Sequence, residues 1–134
     1  MKYWNELDET IFFSKIFSHP IEIGKINLFS LQIENDQSAV SLGFDIPEFP
    51  ENLPEKWKNK GFNTCRVGLT CLNISDLQIK NIPAREVLFA KITKTENFFL
   101  FQAIAKNSLI EFKAKYISLC DPTVYINGLE DDRF

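Results

Sequence analysis

Histidine is almost missing from this 134-residue chain, with His19 the only one. It stands beside Pro20 at the end of a helical pattern, which suits a structural or exposed imidazole better than a catalytic one. A single imidazole leaves no Ser–His–Asp or Cys–His arrangement to assemble. Cysteine is scarce too: Cys65, Cys71 and Cys120 make an odd count with no Cys-x-x-Cys, so no zinc-ligand set is present. Cys65 and Cys71 share parity in one strand pattern, and at ~3.3 Å per residue they stand about 20 Å apart, beyond the ~7 Å a disulfide allows. All three read as buried thiols. The five glycines are too few for a phosphate-cradling loop as well as ordinary turns, and no Gly-x-Ser-x-Gly occurs. No apolar run approaches the ~20 residues of a membrane span. Met1-Lys2-Tyr3-Trp4-Asn5-Glu6 has no apolar stretch before its first acid, unlike a secretion signal. The expectation is a cytoplasmic protein with no membrane partner, no cofactor and no metal, and not an enzyme. The neighbouring acids Asp8/Glu9 and Glu48/Glu51 fall on a helix start and a loop, where carboxylates are solvated.

What is abundant is phenylalanine, with 13 residues, against 45% hydrophobic and 25% charged residues in all. That is the composition of a globular chain whose core is filled by rings, and the length suits one domain over 1–134. Charge is unevenly spread. Residues 1–56 carry ten acids and four bases, residues 57–120 four acids and ten bases, and the tail from Asp121 four acids and one base. Such segregation either steers a partner or forms two solvated faces that neutralise each other. The end of the acidic tail, 127–134, is expected to be flexible.

Leu7, Ile11, Phe12, Ile16 and Phe17 form an apolar stripe, which predicts an N-terminal helix ending at His19-Pro20. After Gly24 the period changes to two. Ile26, Leu28, Leu31 and Ile33, with a slip near Phe29-Ser30, predict a bulged strand, and Val40, Leu42, Phe44 and Ile46 its hairpin partner. Pro47, Pro50 and Pro54 preclude a helix interior or a paired strand, while Phe49, Leu53, Trp57 and Phe62 argue that this segment is an ordered loop. A single helical turn is expected around Glu55–Lys58. Strand signals resume at Asn63: Cys65, Val67, Leu69 and Cys71; then Leu77 and Ile79; Leu88, Ala90 and Ile92. Phe98 to Ala105 reads as a central strand buried on both faces. Ile110, Phe112, Ala114 and Tyr116 point in, and a short strand is expected near Val124–Ile126. Short connections force antiparallel neighbours. The predicted class is α+β: an N-terminal helix packed on a curved, mostly antiparallel meander of about seven strands.

Pro54, Trp57, Gly61 and Asn63 lie between the second and third strands. They follow a hairpin that ends in Asp45-Ile46-Pro47 and precede a strand and then Asp76-Leu77-Gln78-Ile79. With the early Trp4, this order of elements, a Pro-x-x-Trp and then a Gly-x-Asn, resembles the immunity protein 50 family of bacterial polymorphic-toxin systems. The chain departs from that pattern at Asn81-Ile82-Pro83, where a Gly-Trp pair would stand. The resemblance implies a non-catalytic inhibitor whose partner is a cognate toxin domain, bound so that its active site or an essential motion is blocked. The expected contact surface is the proline loop, with Phe49 and Trp57 as aromatic anchors and Asp45, Glu48, Glu51 and Glu55 as steering charges; Trp57 could equally close the bottom of the sheet. Gly61 is expected to serve backbone geometry and Asn63 a turn hydrogen bond. Two other classes stay open at this point. One is a carrier of a small apolar ligand. The other, disfavoured by the acidic balance, is an RNA-binding sheet using Lys91, Lys94, Lys113 and Lys115 with Phe98, Phe99 or Phe101.

Overall fold

The period-two pattern after Gly24 becomes eight antiparallel strands in the computed structural model, which describes residues 1–128. The tail expected to be flexible lies, from 129 on, outside the described residues. The strands are β1 (Lys25–Glu34), β2 (Ala39–Ile46), β3 (Thr64–Leu72), β4 (Ser75–Lys80), β5 (Val87–Lys94), β6 (Phe99–Ile104), β7 (Leu109–Ala114) and β8 (Tyr116–Tyr125). Their order across the sheet is β4-β7-β6-β5-β1-β2-β3-β8.

This order places β3 and β4 far apart, and likewise β7 and β8, although Asn73-Ile74 and Lys115 are all that separate them in the chain. The register explains how. Leu72 pairs with Tyr116 at the end of the β3–β8 ladder, and Ser75 pairs with Lys113 at the start of the β4–β7 ladder. Between them the Lys115 N–H donates to the Leu72 carbonyl at 3.0 Å. One double ladder therefore bends from one half of the sheet into the other. The halves β1-β2-β3-β8 and β5-β6-β7-β4 also meet through Lys25–Phe89, Ile26–Leu88 and Asn27–Val87.

Alternate residues of the strands bury one common side. Val40, Leu42, Phe44 and Ile46 of β2, Cys65, Val67, Leu69 and Cys71 of β3, and Phe101, Phe112 and Leu119 beyond them belong to one apolar cluster. The Phe101 ring stacks on Phe112 at 5.0 Å between centroids. The N-terminal segment joins the same cluster through Trp4, Leu7, Phe13, Ile16, Phe17 and Ile21. Trp4 is 1% exposed, its ring 5.1 Å from Phe44.

Several expectations are corrected. The helix α1 covers only Ile11–Ile16, because Glu9 adopts φ 64° and interrupts the run before it. Its buried stripe is Phe13, Ile16 and Phe17, and Ile11 is exposed. The molecule is thus mostly sheet, and the expected helix layer shrinks to less than two turns against β8. The strands number eight because Lys115 is a bend: the parity that buries Ile110, Phe112 and Ala114 passes to Ile117 and Leu119, leaving Tyr116 outside. In β6, Phe101 and Ala103 are buried but Ile104 is exposed, so that strand is covered fully on one face only. Cys65 and Cys71 are buried, whereas Cys120 lies on the outward parity of β8 and is exposed.

Candidate partner-binding face

Two glycines face each other across neighbouring strands, Gly43 of β2 and Gly68 of β3. A glycine inside a strand marks a close approach. Here the approaching group is Phe29, carried on the bulge between Leu28 and Ser30. Its ring lies so close over Gly43 that a Cβ there would come within 2.6 Å of the Phe29 Cζ. The Arg66 guanidinium sits 3.6 Å from the Phe29 ring centroid and 4.3 Å from that of Tyr125, which places a cation over two π faces. Arg66 Nε donates to Asp45 Oδ1 at 3.3 Å, and the Tyr125 hydroxyl donates to Asp45 Oδ2. Burial and the hydrogen bond to Asp45 both push the Tyr125 phenol above its ordinary pKa, burial being the larger cause. The four side chains come from β1, β2, β3 and β8 and form one neutral, interlocked patch on the outer face of the sheet.

The proline loop, 47–63, begins where Asp45-Ile46 leaves this patch. It is tied to α1 and the turn after it. The Asn52 N–H donates to the Ile16 carbonyl at 3.0 Å, and the Ser18 N–H donates to Glu51 Oε2 at 2.7 Å. The Ser18 hydroxyl donates to the same oxygen, so these two bonds hold the Glu51 carboxyl below the usual glutamate range. Trp57 stands at the end of a single 3-10 turn, Glu55–Trp57, with its ring edge-on to Phe12 at 5.6 Å. At the far end Gly61 takes φ 75°, a conformation that favours glycine, and Asn63 exchanges two bonds with the Asn127 backbone, donating at 3.1 Å and accepting at 2.8 Å.

The residues expected at the contact surface therefore divide. Phe49 and Trp57 are half-buried, both packed against the core. Glu48 is partly covered, Glu51 and Glu55 are exposed, and Glu55 pairs with Lys58 at 2.9 Å. Asp45 differs from the other acids: it is 6% exposed and its carboxylate is held by Arg66 and Tyr125. Arg66, Tyr125 and Phe29 escaped the reading of the sequence, although Gly43 and Gly68 in mid-strand were the signal that something lies close above them. Of the rings named for the alternative nucleic-acid platform, one is buried and two lie beside lysines. Phe101 is in the core, and Phe99 and Phe98 are half-buried with the ammonium groups of Lys94 and Lys113 at 5.7 and 4.9 Å from their centroids. Burial pushes the Cys65 and Cys71 thiols up to about 12, which makes them inert. Among the described residues no group of three or more His, Cys, Asp or Glu is placed to hold a metal ion, and no helix is long and apolar enough to cross a membrane.

The described residues thus form an antiparallel sheet with a locked outer patch and a proline loop pinned to the helix region. In the family comparison, residues 9–125 match immunity protein 50, and the chain belongs to that family. No curated protein and no solved structure gives a significant match.

Proposed function

We propose that this chain is a non-catalytic immunity protein that binds a cognate toxin domain and neutralises it in the cytoplasm of the producing cell. Membership of the immunity protein 50 family over residues 9–125 carries this reading. The contact surface is the proline loop. Phe49 and Trp57 serve as aromatic anchors, the residue type that dominates interface energetics. Glu48, Glu51 and Glu55 supply the charge that steers a basic partner face, and Asp45 acts beneath them by fixing Arg66 at the root of the loop. The bonds from Asn52 and Glu51 to the α1 region support the assignment, because a loop already ordered loses little freedom on binding.

The test is co-expression with the toxin domain encoded by the neighbouring gene. Growth should be restored and the two chains should co-purify at fixed stoichiometry. A neighbouring toxin that stays lethal and does not co-purify would overturn the reading. Trp57→Ala should weaken the complex by about 30-fold, the size of one interface hot spot.

A further inference from the structure

The edge of β1 beyond Asn27, on the side facing β5, has no part in the reading above, and an apolar groove lies beside it. β1 pairs with β5 only through Lys25–Asn27, and from Leu28 onward with β2 alone. β4 pairs with β7 alone. Among the described residues no further strand or bridge lies along these two edges. Between them opens a cavity of about 430 Å³, lined by Leu28, Phe29, Leu31, Ile33, Ile79 and Ile82 among others. Leu31 and Ile33 pair with Leu42 and Val40, both in the core, so they stand on the core side of β1. Ile33 is nevertheless 53% exposed, and Ile82 across the groove is 82% exposed. Leu28 and Leu31 pack against the core while Ile33, at the end of the row, stays half in water, as a side chain does beside a sheet edge with no neighbouring strand.

The frame of this groove is held in place. At one end the Ile74 N–H donates to the Ser38 carbonyl at 3.1 Å, tying the β1–β2 hairpin tip to the corner between β3 and β4. At the other, Asn81 donates to the Asn107 carbonyl and Ser108 donates to Glu86 at 3.0 Å, fixing both ends of the 81–86 connection. The groove also runs into the outer patch, because the Phe29 ring that lines it is the ring on which Arg66 stacks.

We propose that this groove receives an extended segment of the toxin domain, added as a β-strand along the free edge of β1 between Leu28 and Glu34. This rests on the immunity reading and names how the partner is held. Edge amides and carbonyls require acceptors and donors in alternation, which an extended polypeptide supplies and a lipid or small apolar ligand does not. Apolar side chains at every second position of the incoming strand would close over Leu31, Ile33 and Ile79. Through Phe29 the groove is continuous with the outer patch, whose Asp45 lies two residues before the proline loop.

The experiment is amide hydrogen exchange on the full chain, free and bound to the toxin domain encoded by the neighbouring gene, alongside affinities of Ile33→Glu and Ile82→Glu. Exchange across 28–34 should slow by more than about tenfold in the complex. Each substitution should weaken binding by about 30-fold with an unchanged unfolding midpoint. Ile82→Glu keeps the test informative if Ile33→Glu fails to fold. A complex protected only at 47–63, with both variants binding as tightly as the parent, overturns strand addition and leaves the immunity reading standing. A free chain that is already a dimer with 28–34 protected overturns it as well, since the occupant is then a second copy. Absence of any complex overturns both.

Discussion

At β8 the N-terminal segment lies along the outer edge of the sheet: Asp8 bridges Ser118 and its carbonyl accepts the Leu119 N–H at 2.9 Å. Trp4, Phe13 and Ile16 follow it into the core. At β1 and β4, no described segment does the same, and Ile33, Ile79 and Ile82 face solvent around an open groove. The two regions share the same chemistry, apolar side chains next to unpaired strand edges, but among the described residues only one is closed by another segment of the chain. Natural sheets cover or charge their edges because an open one pairs with whatever extended backbone it meets. The contrast teaches that the N-terminal segment completes the core at one edge, while the other edge keeps its apolar side chains partly in solvent.

The contrast can be broken most forcefully at Trp4. Trp4→Ala removes a ring packed against Phe44 and should cost about 3–5 kcal/mol in urea unfolding; a loss below ~1 kcal/mol would mean that the segment is not part of the core. Asp45→Ala should cost about 1–3 kcal/mol, since Arg66 and Tyr125 lose a shared acceptor. The same variant should bring the Tyr125 phenol down towards its ordinary range, read by ultraviolet titration, because a nearby carboxylate opposes phenolate formation.

Glu51 gives a smaller, pH-dependent effect. Its carboxyl is held low in the folded chain by the two Ser18 donors, so its stabilisation is complete above the ordinary glutamate value of about 4.3 and fades as pH falls through the lower folded value. Exchange protection of the proline loop should accordingly hold from pH 7 to about 5 and decline below ~4, and Glu51→Gln should flatten that decline. The smallest effect belongs to the open side. Ile82→Ser should leave stability within about 0.5 kcal/mol of the parent, since the side chain is already in water. A larger loss would show that the groove is closed in solution.

Much of the local structure was legible. The parity of β2 and β3, the buried pair Cys65 and Cys71, the bulge at Phe29, the turn at Glu55–Trp57 and the ordered proline loop all follow from side-chain alternation and turn chemistry. Less of the rest was. The bend at Lys115 swaps which residues are buried, yet nothing in Ala114-Lys115-Tyr116 differs from an ordinary strand. Glu9 enters a left-handed conformation without being glycine or asparagine. The outer patch draws Phe29, Asp45, Arg66 and Tyr125 from four strands, and their meeting depends on long-range register, which no local pattern encodes. Gly43 and Gly68 offered a hint of close approach, without saying of what.

The bent double ladder also governs the order in which the molecule can mature. During synthesis β3 emerges well before β8, with β4 to β7 between them, so β3, already able to pair with β2, keeps its other edge open until β8 is made. Because the β3–β8 ladder runs on from the β4–β7 ladder through Lys115 and Leu72, pairing β4 with β7 brings β8 beside β3 and shortens the span left to close. Until then the nascent chain carries an open strand edge of the kind that other extended backbones pair with.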